Sequence, residues 1–270
     1  MTKKMSSAER AALALIEAAA HPGISATHAA ELIKKAKEIT EPKSRPKTSI
    51  VVVIDESGSM GGLRGSTIEG INTAMAKLRE ELTDHETLVS LLTFDTTTFR
   101  PPVRYLAEAM SIGGVPVLHF GNYTPSGGTP LYDAVAQAIA VADRQEERLG
   151  ECKTIVIVQT DGEENSSKEY PGAAGLAKLK SMIEARKAKG WEIQFMGANL
   201  GENAYRTSMG LGINVGTTRS YTGANTVEAF SQFAQNVAAF ATGVAASTAY
   251  TAGQKAAVGD KWDPEAKKGA

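Results

Sequence analysis

Three short polar clusters hold the residues best suited to chemistry: Asp55-Glu56-Ser57-Gly58-Ser59, Ser126-Gly127-Gly128-Thr129-Pro130 and Thr160-Asp161-Gly162. They offer carboxylates, hydroxyls and glycines, and none contains histidine or cysteine. Hard oxygen donors of this kind suit Mg2+ or Mn2+ and not zinc. Mg2+ demands an octahedron of oxygens and keeps several waters. Two serines, a threonine and two carboxylates leave part of that octahedron open to water or an incoming ligand. Each cluster alone has a plainer reading. Asp55 could cap a following helix, residues 127–129 could form only an N-cap, and Thr160-Asp161-Gly162 could be a strand-ending turn.

The elements around the clusters decide whether they meet. Ile50-Val51-Val52-Val53-Ile54 is a continuous β-branched run, the pattern of a strand buried on both faces. It ends at Asp55. Further strands are expected over 88–94, 153–160 and 192–196, with a weak last strand at Ile213-Asn214-Val215. Residues 99–105 contain two prolines and read as an edge strand or loop. Residues 115–120 read as a short strand or extended connector. Helices are expected over 64–83, 131–149, 173–189, 202–209 and 226–242 from apolar residues at three- and four-residue steps. Strands alternating with helices predict an α/β fold: a doubly wound, mostly parallel six-stranded sheet with helices on both faces. Ligands of such sheets bind at the carboxyl ends of the strands, where all three clusters can converge.

Residues 1–46 read as a separate small unit. A helix over 6–20 starts at a capping box, Ser6 with Glu9, and stops at His21-Pro22-Gly23. A second runs from about Thr27 to Ile39, which makes a helical hairpin. Glu41-Pro42-Lys43-Ser44-Arg45-Pro46-Lys47 is a charged, proline-containing linker. The main domain is expected over 47–246, and a Gly-, Ala- and Lys-rich tail, 247–270, is expected to be disordered.

The 270 residues are 42% hydrophobic and 22% charged, an ordinary globular balance. Net charge is −1, so no global field favours nucleic acid. Residues 1–48 carry nine Lys/Arg against five Glu, which leaves the rest of the chain acidic and better suited to a cation than to a phosphate backbone. Cys152 is the one cysteine, so no intrachain disulfide can form. It opens the apolar run 152–158 and reads as a small strand residue. The first residues lack signal-peptide patterning and no apolar stretch reaches membrane-spanning length, so a cytoplasmic protein is the expectation.

Asp55-x-Ser57-x-Ser59 after an apolar strand resembles the first signature of the von Willebrand factor A fold, the metal-ion-dependent adhesion site. Gly128-Thr129-Pro130-Leu131-Tyr132-Asp133 resembles the second, and Thr160-Asp161-Gly162 the third. Order and context match over roughly residues 47–245. The resemblance implies that Ser57, Ser59 and Thr129 offer hydroxyls to a Mg2+ or Mn2+ ion. Asp55 and Asp161 would act directly or through water, and an acidic side chain of a partner protein would complete the shell. It gives Glu56 and Met60 no metal role. Intracellular bacterial and phage members of the family often sit beside ATPases, stress-response or assembly systems.

The expected function is therefore a divalent-cation-dependent protein-binding module, not an enzyme. Asp55→Ala is expected to abolish metal binding and spare the fold, the site being a surface edge. Ser57-Gly58-Ser59 lacks the leading glycine of a nucleophile elbow, and no Gly-x-x-x-x-Gly-Lys-[Ser/Thr] loop is present. A metal-assisted hydrolase would need Glu56, Glu163, Glu164 or His119 as its base. A self-assembling scaffold is a third reading, with Glu163-Glu164 entering a neighbour's metal edge head to tail. Asp95 and Asp133 are candidates for a supporting role.

Overall fold

The computed structural model describes residues 5–40 and 45–262. The chain divides into two compact units, Met1–Arg45 and Pro46–Ala270.

The first unit is the expected hairpin. Helix α1, Ser7–Ala19, opens on the Ser6/Glu9 capping box: the Glu9 amide donates to Ser6 Oγ at 3.1 Å and the Ser6 amide to Glu9 Oε2 at 2.6 Å. Gly23, at φ 104°, takes the turn that a side chain would resist. Helix α2 spans Ala26–Thr40. Ala12 and Ala36 are buried, and their small side chains let two helices approach closely. Of the expected linker, residues 41–44 lie outside the described residues.

The second unit is a six-stranded sheet in the order β3-β2-β1-β4-β5-β6. Its strands are β1 Lys47–Asp55, β2 Glu86–Phe94, β3 Val103–Ser111, β4 Lys153–Thr160, β5 Glu192–Ala198 and β6 Thr218–Tyr221. All neighbours pair in parallel except β2 and β3. Strand β1 runs in the centre, and Ile50 to Ile54 are wholly excluded from solvent. One face is covered by α3 (Arg64–Glu81) and α7 (Thr226–Thr242), which pack Ile71, Met75, Phe230 and Phe233 onto Ile50, Val52 and Ile54. The other is covered by α4 (Leu131–Leu149), α5 (Gly172–Lys187) and α6 (Glu202–Gly210), whose Val135, Ile139, Leu179 and Tyr205 meet Val51, Val53 and Phe195.

Two expectations need correction. The last strand is not 213–215. Ile213 is instead an apolar plug in the second core, residues 215–217 make a single tight turn, and β6 follows at Thr218–Tyr221. The edge strand near the prolines starts after them, at Val103. Of the two readings of residues 115–120, the extended connector is the one found, with Val115 and Leu118 pointing inward from it.

The tail also differs from expectation as far as residue 262. Helix α8, Ala252–Ala257, has its own capping box. Tyr250 and Val258 are buried, Trp262 stacks on Tyr205 at 3.8 Å, and Asp260 accepts from the amide of Ser220 at 3.0 Å. A few anchors spaced along a glycine- and alanine-rich segment hold it without any periodic pattern. Residues 263–270 lie outside the described residues.

Candidate metal centre

Strands β1 and β4 are neighbours, yet β1 leads to α3 on one face and β4 to α5 on the other. Their connections part there, which opens a crevice above their carboxyl ends. Asp55 ends β1, and Asp161 follows Thr160, the last residue of β4.

Asp55 is fully buried. Its Oδ1 accepts from the Ser57 amide at 2.7 Å and its Oδ2 from Thr160 Oγ1 at 2.6 Å. The chain then folds into a tight 3-10 turn, Gly58–Leu63. That turn brings Ser57 Oγ and Ser59 Oγ within 3.1 Å of each other. Ser59 Oγ donates to Asp161 Oδ1 at 2.7 Å. Thr129 arrives on the loop before α4, its amide donating to Asn165 Oδ1 at 2.9 Å. A methyl group placed on Gly162 would lie 3.1 Å from Thr129 Oγ1 and 3.9 Å from Ser59 Oγ, so both hydroxyls line the space that Gly162 leaves free. The first two clusters are joined through backbone, Gly58 N donating to Gly127 O at 3.0 Å.

All five sequence-derived residues, Asp55, Ser57, Ser59, Thr129 and Asp161, therefore converge on one edge. Ser59 is exposed, Asp161 partly so, and Asp55, Ser57 and Thr129 lie beneath. Burial pushes the Asp55 carboxyl up to about 6, against the hydrogen bonds from Thr160 and Ser57. Burial also raises Asp161, against its bond from Ser59. The edge thus holds negative charge that solvent screens poorly, beside three hydroxyl oxygens. That donor set fits a hard divalent cation. It holds few carboxylates: among the described residues no group of three or more His, Cys, Asp or Glu gathers as a metal cluster.

The expectation that Asp55→Ala spares the fold rests on the site being a surface edge, and that reason does not hold for Asp55 itself. The open part of the edge belongs to Ser59, and Asp55 is an interior group.

Neighbouring acids turn out to be structural. Glu164 accepts from the amides of Tyr132, Ser166 and Ser167 and from Ser167 Oγ. Asp133 accepts from the amides of Lys168, Glu169 and Tyr170. Each carboxylate staples the 164–170 loop to the start of α4. Asp95 pairs with Arg100. Glu56 is buried against Arg104. His119 is exposed, and its Nδ1 accepts from the Gly121 amide at 3.0 Å. Of the four bases considered for a hydrolase, Glu56 and Glu164 are thus engaged elsewhere.

Sequence reasoning missed Thr96, Asn165 and Tyr123. Thr96 Oγ1 accepts from the Gly128 amide at 2.8 Å, and Tyr123 donates its hydroxyl to Asp55 O at 2.6 Å. Nothing local marks these residues; only the fold brings them in.

Residues 49–248 match the family described as von Willebrand factor type A domain. No curated protein matches the chain. Among solved structures it is similar to the pilus adhesin SpaC of Lactobacillus rhamnosus GG in its open conformation, at 17% identity and TM-score 0.56, over 73% of this chain and 30% of that one. It is also similar to the vWF domain of the type V pili tip protein Mfa5 of Porphyromonas gingivalis, at 14% identity and TM-score 0.52, over 73% and 96% of the two chains. A third is the PilB minor pilin of Streptococcus sanguinis, at 13% identity and TM-score 0.51, over 74% and 63%. At these identities the likeness is one of fold, and the chain spans less than a third of SpaC. The family match over most of the chain, on a sheet of the expected order, means that this protein belongs to the von Willebrand factor type A domain family.

Proposed function

We propose that this chain is a divalent-cation-dependent protein-binding module that captures an acidic residue of a partner. One observation carries the reading: Ser57, Ser59, Thr129, Asp55 and Asp161 meet on a single edge with Ser59 open to solvent. Ser57, Ser59 and Thr129 would hold Mg2+ or Mn2+ through hydroxyl oxygens, with Asp55 and Asp161 behind them. A cation with few direct carboxylates remains electrophilic and attracts an outside Asp or Glu. The chain's own part is to place three neutral oxygens and to keep Asp55 buried, beneath the open side. Similarity in fold to a pilus adhesin and to a pili tip protein agrees with a binding role.

Calorimetric titration of Mg2+ and Mn2+ into the purified chain tests the proposal. Binding is expected in the wild type and not in Ser59→Ala, whose fold should be unaffected because Ser59 is exposed. A wild type that binds neither ion overturns it. A partner capture with and without chelator then tests the second half.

A further inference from the structure

Glu56 sits between two proposed metal-edge residues, and its side chain goes the other way. It is 1% exposed. Its oxygens accept from Arg104 Nη2 at 2.8 and 2.6 Å and from the Thr124 amide, and Oε1 lies 3.3 Å from Arg100 Nη1. Arg104, on β3, also donates to Asn122 O at 2.8 Å. Arg100 donates to Thr124 Oγ1 at 2.7 Å, to Thr124 O at 2.8 Å and to Asp95, itself 2% exposed. The backbone of Glu56 is tied in as well, its amide to Phe94 O at 2.8 Å and its carbonyl to the Ser126 amide at 2.8 Å. Four segments thus meet at one residue: the turn after β1, the loop after β2, strand β3 and residues 122–126. The last of these runs directly into Gly127-Gly128-Thr129.

The energetics separate stability from placement. Removing charges from water is costly, and a buried ion cluster is often no more stabilising than apolar side chains of the same volume. Charge-assisted, directional hydrogen bonds do something apolar packing does not: they fix where each loop stands relative to the others. We infer that Glu56 is a positioning residue for the metal edge. Through Arg104, Arg100 and Thr124 it sets where the Thr129 hydroxyl stands relative to those of Ser57 and Ser59. The same contacts hold a nearby carboxylate away from the edge. This inference rests on the metal reading above.

The test uses the full chain with Mn2+, followed by electron paramagnetic resonance and by water-proton relaxation of the bound ion. Three proteins are compared with the wild type: Glu56→Gln, the double variant Glu56→Met with Arg104→Met, and Arg104→Lys. Glu56→Gln and the double variant should bind Mn2+ about tenfold more weakly or worse, the size typical of lost outer partners of a metal site. The bound ion should relax more water protons, because a protein oxygen has been replaced by solvent. The double variant should unfold in urea at or above the wild-type midpoint while still losing affinity. Arg104→Lys, which keeps a charged donor, should fall between. If Glu56→Gln does not fold, the double variant carries the comparison. Affinity that falls only in step with stability overturns the positioning role, as does affinity indistinguishable from wild type in both variants. A wild type that binds no Mn2+ overturns the metal reading first, and this inference with it.

Discussion

Asp55 shows how one residue couples charge, stability and ligand. Its carboxyl is pushed up to about 6 by burial, from an ordinary value of 3.8. The folded chain therefore holds this proton more tightly than the unfolded chain does. Ionised Asp55 costs stability above about pH 6, and the cost is relieved as pH falls from there toward 4. Asp55→Asn keeps an acceptor for the Ser57 amide and removes the charge. Without metal it should raise stability at pH 7.5 by on the order of 2 kcal/mol and give no gain near pH 4. Urea denaturation at the two pH values measures this, and a loss of stability at pH 7.5 would refute the account. On the proposed metal reading, a divalent cation that stabilises ionised Asp55 competes with the proton, so any increase in Tm on adding Mg2+ should shrink below pH 6. The residue types and spacing of Asp55, Ser57 and Ser59 were legible in the sequence. Asp55's burial was not, because it depends on Thr160 and Tyr123, more than sixty residues away along the chain.

At the scale of elements, the strongest patterns belonged to segments with one dominant environment. Strand β1 is apolar on both sides, so its β-branched run needed no context. Helices α4 and α7 have clear apolar stripes, and their ends agree with the periodicity. Strand β6 reads as polar because Arg219 is buried through specific partners, donating to Gln232 Oε1 at 2.8 Å and lying 4.0 Å from the Tyr250 ring. A pattern of apolar residues cannot register a strand whose burial is arranged by α7 and the tail. The α3–α7 contact is tight at Gly70, where an added methyl group would come within 2.5 Å of Phe230 Cδ2. Gly70→Ala should therefore destabilise the domain by about 1–3 kcal/mol despite alanine's better helix propensity. Thermal unfolding checks it, and a stabilised variant would show that Phe230 can move aside.

For the whole molecule, the division near residue 45 and the anchored tail make opposite predictions for the two ends. Deleting residues 1–45 should leave a folded unit with an unchanged far-ultraviolet spectrum per helix and strand, because both cores lie within the second unit. Collapse of that truncation would place the hairpin in the core. Deleting residues 249–270 should lower stability by about 3 kcal/mol or more, from the lost burial of Tyr250 and Val258 and the exposure of Tyr205 and Arg219. Urea midpoints separate the two cases. The sequence by itself determined the alternation of strands and helices, the three polar clusters and the donor types they offer. Those properties are local: they depend on side-chain chemistry and on periods of two and 3.6 residues. The tertiary structure alone decided which clusters face each other, that Asp55 is interior, that Glu56 joins two arginines and that the tail is held as far as Trp262. Each of these depends on contacts between residues far apart in sequence, whose pairing follows from strand order and not from any local pattern.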